Sequence, residues 1–310
     1  MKYAIGIDLG GTFIKYAIVS NEGKFLLEET IPSNAGTSAN AVISQLELAI
    51  KNCISYAAGM EITFEGIGIA TPGIVDSLGR TVLGGSDNIT GWVNIPLSDL
   101  LERVSNLPVK INNDANLMGL GEQTFGAAKD CSDVLFITVG TGIGGAIIID
   151  GKLYGGYQNR GTEMGHIPFV SDGEPCSCGS IGCWEAYAST AAMVARFEKK
   201  SKEQNLKFEE EIDGKLIVSL CKNKYAVAME IFEEECRYLG RGIAGLVNIF
   251  SPQRVIIGGG ISEAGDFFIE KIAKYSKQYA IPDCFLNTEI CVAQLGNKAG
   301  AAGAAQMMFV

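Results

Sequence analysis

Apolar runs broken by polar glycine corners open the chain. Residues 3–8 read as a strand, Leu9-Gly10-Gly11-Thr12 as a turn, 14–20 as a second strand, Asn21-Glu22-Gly23 as a turn, and 24–30 as a third strand. A related pattern returns as strand 134–139, the corner Gly140-Thr141-Gly142-Ile143-Gly144-Gly145, strand 146–149, the turn Asp150-Gly151 and strand 152–154, so the chain reads as internally duplicated. Between the two units the pattern predicts a helix over 40–58. Two strands follow: 66–70, stopped by Thr71-Pro72-Gly73, and 109–112, which runs into Asn113-Asp114. That order of elements is α/β.

In the second half, Met229, Phe232, Cys236, Leu239, Ile243, Leu246 and Phe250 recur at spacings of three and four, which predicts a long, largely buried helix ending before Pro252. It feeds a strand at 254–257 and a third glycine corner, Gly258-Gly259-Gly260. The segment 299–308 reads as a helix of small residues built for close packing, whereas Lys- and Glu-rich 196–215 reads as a solvated helix end plus loop without chemistry.

Composition narrows the function. A chain of 310 residues exceeds the usual size of a single core and is expected to form two lobes with a cleft. A net charge of −10 without a basic stripe lacks the counterion-release term that drives nucleic-acid binding. No apolar run reaches the ~20 residues that span a bilayer, and residues 3–8 begin without a signal-like core, which predicts a cytoplasmic protein with no membrane partner. Nine cysteines, an odd number in a large chain, argue against a disulfide framework and, where clustered, for a metal.

Three motifs carry chemistry. In Asp8-Leu9-Gly10-Gly11-Thr12, backbone N–H groups can approach phosphate oxygens without a Cβ in the way, and Asp8 can hold water bound to Mg²⁺; the bland alternative is a hairpin corner. In Asn112-Asn113-Asp114-Ala115-Asn116, a carboxylate at a strand end can take a proton from an attacking hydroxyl, while Asp114 could equally cap a helix over 115–121. The strongest motif is Glu163-Met164-Gly165-His166 followed by Cys176, Cys178 and Cys183: one imidazole and three thiolates form a closed tetrahedral zinc set. His166 is the only histidine, and the other six cysteines are expected to be buried thiols. A dinucleotide-binding reading of Gly140–Gly145 fails on context, since that fingerprint opens a helix and here it opens a strand.

The two glycine corners and Gly258-Gly259-Gly260 together resemble the two phosphate loops and the adenosine loop of the actin-like ATPase superfamily. Val139–Gly145, Glu163-x-Gly165-His166 and Cys176-x-Cys178-Gly179-x-x-Gly182-Cys183-x-Glu185 resemble the signature and zinc motif of the ROK family, which comprises bacterial sugar kinases and sugar-responsive repressors.

The resemblance covers essentially the whole chain. It implies a duplicated actin-like ATPase (ribonuclease H-like) fold with an N-terminal lobe of 1–115 plus 297–310 and a C-terminal lobe of 116–296. It implies an ATP-dependent kinase acting on a sugar 6-hydroxyl, with Asp114 as catalytic base and Gly73, Asn88, Asn113, Glu163, His166 and Glu185 on the sugar. Gly10, Gly11, Thr12, Gly140, Thr141 and Gly142 are expected on the ATP phosphates, with Asp8 on Mg²⁺ through water, Lys15 assisting, Gly258, Gly259 and Gly260 on the adenosine, and zinc as a structural ion.

Glucose is the preferred acceptor on family frequency, with N-acetylmannosamine, N-acetylglucosamine, mannose, fructose and allose as alternatives. Homodimerisation is expected. A repressor is disfavoured because only seven residues precede Asp8, too few for a helix-turn-helix. Two positions depart from the family pattern: Thr162 stands where many relatives carry Gly, and Asp87 where many carry Pro.

Overall fold

The computed structural model describes every residue except Asp87 and Val310, Glu263 by its backbone alone. Its residues form two compact units: Met1–Ser132 with Ala146–Thr162 and Gln294–Val310, and Asp133–Gly145 with Glu163–Ala293.

The first unit begins with three antiparallel strands, β1 (Tyr3–Leu9), β2 (Phe13–Ser20) and β3 (Phe25–Pro32). Helix α1 (Ala39–Ala57) follows, started by Ser38, whose Oγ accepts the Ala41 N–H at 3.2 Å. It buries Val42, Leu46, Ala49, Ile50 and Cys53 on one face against the sheet. Strand β4 (Phe64–Thr71), the small hairpin β5 (Ile74–Val75) and β6 (Val82–Gly84), helix α2 (Leu97–Ser105), strand β7 (Val109–Asn113) and helix α3 (Asp114–Phe125) complete the first pass. The sheet order is β3-β2-β1-β4-β7, with β1, β4 and β7 parallel.

The second sheet repeats that order with β8 (Val134–Val139), β9 (Ile143–Ile149) and β10 (Lys152–Tyr154), running β10-β9-β8-β11-β12. Before its last strands come four helices: α4 (Glu185–Ala188), α5 (Thr190–Glu203), α6 (Gly214–Lys222) and α7 (Ala226–Phe250). The parallel strands β11 (Arg254–Gly258) and β12 (Glu289–Val292) enclose α8 (Asp266–Tyr279) and α9 (Pro282–Phe285). The duplication predicted from the glycine corners is thus two sheets of one topology.

The chain closes with α10 (Ala299–Gln306), which lies on β1, β4 and α3 in the first unit. Its small residues allow backbone contact: a Cβ placed on Gly68 of β4 would stand 1.7 Å from the Ala304 carbonyl oxygen. No helix among the described residues is long and apolar enough to cross a membrane.

Three local expectations differ from the structure. Met229 of α7 is 46% exposed, because the stripe on that helix is centred on Ala228, Ile231 and Phe232. Of the six cysteines outside the metal motif only Cys53 and Cys236 are buried, while Cys131, Cys221, Cys284 and Cys291 are half-buried. Nor is the 196–215 segment simply solvated: Arg196 sits in α5 with its guanidinium 2.6 Å from Glu235, a fully buried carboxylate that burial pushes up to about 8 despite that partner.

Candidate functional site

In the first unit, the parallel register sets Asp8 level with Ala70, and Ala70 level with Asn112. The carboxyl ends of β1, β4 and β7 therefore share one edge, the place where open α/β sheets hold ligands. At this edge the Gly10 N–H donates to the Phe13 carbonyl at 2.9 Å, closing the first corner, while Gly11 and Thr12 are exposed. Asp8 faces Lys15 across the β1–β2 pair; burial raises its carboxyl above the usual range, and the Lys15 charge opposes the rise. The Lys15 ammonium donates to Asn297 Oδ1 at 2.9 Å.

The start of α3 gives the cap to Asn113 rather than to Asp114. Asn113 is the cap, its Oδ1 accepting the Asn116 N–H at 3.2 Å, and Asp114 is the first helical residue, its Oδ1 accepting the Ala115 N–H at 2.8 Å. Asn113 also donates from Nδ2 to the Gly73 carbonyl at 3.2 Å, which joins two of the residues expected on the sugar. Asn88 is exposed on a loop anchored by buried Trp92, whose Nε1 donates to Thr71 Oγ1 at 3.0 Å. Asp87 lies outside the described residues.

Thr162 has φ 71°, a conformation uncommon for a β-branched residue and natural for glycine. Its hydroxyl lies 2.6 Å from the Gly161 carbonyl and 3.4 Å from Asn116 Oδ1.

In the second unit the Gly140 N–H donates to the Gly142 carbonyl and the Thr190 N–H to the Gly140 carbonyl, both at 2.9 Å. The next amide, Ile143 N–H, donates to Glu185 Oε2 at 2.8 Å, and Ser177 Oγ donates to Glu185 Oε1 at 3.2 Å. One carboxylate thus bridges the second glycine corner and the cysteine loop. Glu163 is exposed, and its carbonyl accepts the His166 N–H at 3.0 Å in a short 3₁₀ turn.

His166, Cys176, Cys178 and Cys183 present four donor atoms within 4.8 Å of one another. Cys178 and Cys183 sulfurs are 3.7 Å apart, and His166 Nδ1 lies 3.5 Å from Cys176 Sγ. A tetrahedron with metal–sulfur bonds of ~2.3 Å has edges of about 3.8 Å, so the donor set fits a zinc-sized ion.

Gly258 of β11 is in register with Thr138 of β8, which puts the third glycine corner at the same sheet edge as Gly140. Gly260 lines a cavity of about 470 Å³ together with Thr190, Asp213, Lys215, Ser219 and Lys222. Sequence reasoning missed this wall, having assigned no chemistry to the stretch that ends at Lys215. The one local signal is the helix start at Asp213, whose Oδ1 accepts the Leu216 N–H at 2.8 Å; nothing in that signal says which loop the helix faces.

Known proteins resemble this chain over nearly its whole length. A glucokinase from Streptomyces coelicolor is 36% identical, with 99% of this chain and 98% of that protein covered. A xylose repressor from Caldicellulosiruptor bescii is 34% identical over 98% of this chain and 77% of its own length. The crystal structure of a ROK family glucokinase from Streptomyces griseus in complex with glucose and AMPPNP superposes with a TM-score of 0.83 at 35% identity, covering 98% of both chains. Residues 4–309 match the ROK family itself, and the chain belongs to that family.

Proposed function

We propose that this protein is an ATP-dependent hexose kinase that transfers the γ-phosphoryl group of ATP to the 6-hydroxyl of a hexose, glucose by preference. The observation that carries the reading is Asp114 at the ligand edge of the first sheet, presented by a helix whose cap, Asn113, is bonded to Gly73. The likeness to a structure that holds both glucose and an ATP analogue supports the substrate pair.

In this reading Asp114 accepts the hydroxyl proton as the sugar oxygen bonds to the γ-phosphorus and the bond to the departing ADP oxygen breaks. Gly73, Asn88, Asn113, Glu163, His166 and Glu185 hold the sugar, whose ring of hydroxyls needs several fixed acceptors. Gly10, Gly11 and Thr12, with Gly140, Thr141 and Gly142, hold the phosphates; the cavity beside Gly260 takes the nucleoside. Asp8 would hold Mg²⁺ through water, where the ion would supply positive charge beside the transferred group.

His166, Cys176, Cys178 and Cys183 would hold zinc as a structural ion, since four protein donors would fill its coordination sphere. Nδ1 is the ring nitrogen beside Cys176 Sγ, so a bound ion there would leave Nε2 of His166 to donate to the sugar. A cytoplasmic homodimer completes the reading.

The test is a panel of glucose, mannose, fructose, allose, N-acetylglucosamine and N-acetylmannosamine with ATP and Mg²⁺, read by ADP release. Glucose is expected to give the highest kcat/KM. Sugar binding without ADP release from any acceptor would mean a sensor rather than a kinase.

A further inference from the structure

The helix that begins at Asp114 carries a second carboxylate eight residues on, about 12 Å along the axis. Glu122 is fully buried. Its Oε2 accepts the Ala127 N–H at 2.8 Å and the Gln294 N–H at 3.0 Å, and its Oε1 accepts the Leu295 N–H at 2.7 Å. Two of those amides belong to the segment that leads into α10, 172 and 173 residues further along the chain.

Within a few residues that segment reaches the strands that flank the first glycine corner. Asn297 accepts the Lys15 ammonium at 2.9 Å, Lys298 pairs with Glu28 at 2.8 Å, and Gly300 stands so close to Asp8 that a Cβ there would lie 2.6 Å from the Asp8 carboxyl carbon. We propose that Glu122 is a positioning residue for phosphoryl transfer: it ties the segment that seats Asp8 and Lys15 to the helix that presents Asp114.

The chemistry requires a carboxylate. Three N–H donors converge on two oxygens, and a carboxylate offers acceptors only, whereas an amide turns its own N–H groups toward those donors on one side. A loosened clasp lets the 294–300 segment shift relative to α3, and a misplacement of ~1 Å at reacting groups costs roughly 10²-fold in rate. The proposal rests on the kinase reading above, with Asp8 and Asp114 in their assigned roles.

The test compares Glu122→Gln and Asn297→Ala in the full chain, with glucose, ATP and varied Mg²⁺. Glu122→Gln is expected to lower kcat per folded molecule by about tenfold or more. Half-activating Mg²⁺ should rise severalfold, while hexose KM stays within about threefold. Asn297 is exposed, so Asn297→Ala should keep the wild-type Tm and still move the Mg²⁺ and ATP requirements in the same direction by a smaller factor.

A Glu122→Gln protein with lowered Tm but kcat and Mg²⁺ dependence within about twofold of wild type would show a merely structural carboxylate and overturn the proposal. Should Glu122→Gln not fold, an Asn297→Ala protein indistinguishable from wild type overturns it. Absence of ADP release by the wild-type protein would instead sink the kinase reading itself.

Discussion

Glu185 Oε2 accepts the Ile143 N–H at 2.8 Å, and the carboxylate that makes this bond fills the space a side chain on Gly142 would need. A Cβ on Gly142 would lie 2.3 Å from Glu185 Oε2, whereas a Cβ on Gly140 would meet nothing within 4 Å.

The two glycines of one corner should therefore respond differently to alanine. Gly142→Ala pushes Glu185 off the Ile143 amide, so it should lower Tm and reduce kcat/KM by about 10²-fold, the scale of a displaced reacting or orienting group. Gly140→Ala should keep the wild-type Tm and lose ATP affinity alone, because the added methyl obstructs only a ligand that approaches the backbone. Thermal melts paired with ATP titrations separate the two; equal effects would remove Gly140 from the phosphate site.

Asp114→Asn should lower kcat by roughly 10²–10⁴, the usual worth of a general base. Asparagine keeps an Oδ1 for the Ala115 N–H, and the helix cap belongs to Asn113, so Tm should hardly move. Turnover near wild type in a folded variant would remove Asp114 from the base role.

Zinc should be found at about one equivalent per chain by elemental analysis and lost in Cys178→Ser. Because His166 belongs to the donor set and Glu185 bonds Ser177 in the same loop, losing the ion should lower Tm and raise hexose KM by about 10-fold or more. A zinc-free protein with unchanged hexose KM would separate the metal from the sugar site.

A pH effect is expected away from the site. Arg80 lies 2.6 Å from Glu102, and this hydrogen bond holds the Glu102 carboxyl below its ordinary value of 4.5; Glu102 also accepts the N–H of Val109 at the start of β7, at 3.0 Å. A depressed carboxylate adds stability above its unfolded value and loses it as pH falls through the folded one. Both side chains are partly exposed, so Arg80→Ala should cost at most about 1 kcal/mol near neutrality. The difference from wild type should vanish in acid and shrink in high salt, as read from urea midpoints. A cost that grows on acidification would contradict the assignment.

Much of this protein could be read along the chain. Strands at the glycine corners and the long helix before Pro252 follow from apolar spacing and turn chemistry, which act over a few residues. The four clustered donor residues fall between His166 and Cys183, close enough in sequence for spacing to mark them as a set. Tertiary structure decided the rest. That Asn113 and not Asp114 caps α3 depended on which side chain reached the Asn116 amide. That the stretch ending at Lys215 walls a cavity beside Gly260, that Glu185 braces the Ile143 amide, and that Glu122 clasps Leu295 are pairings across tens to hundreds of residues. Local periodicity names which faces are apolar and where the chain turns. The partner of a polar side chain is set only when the topology brings two distant segments within hydrogen-bond reach.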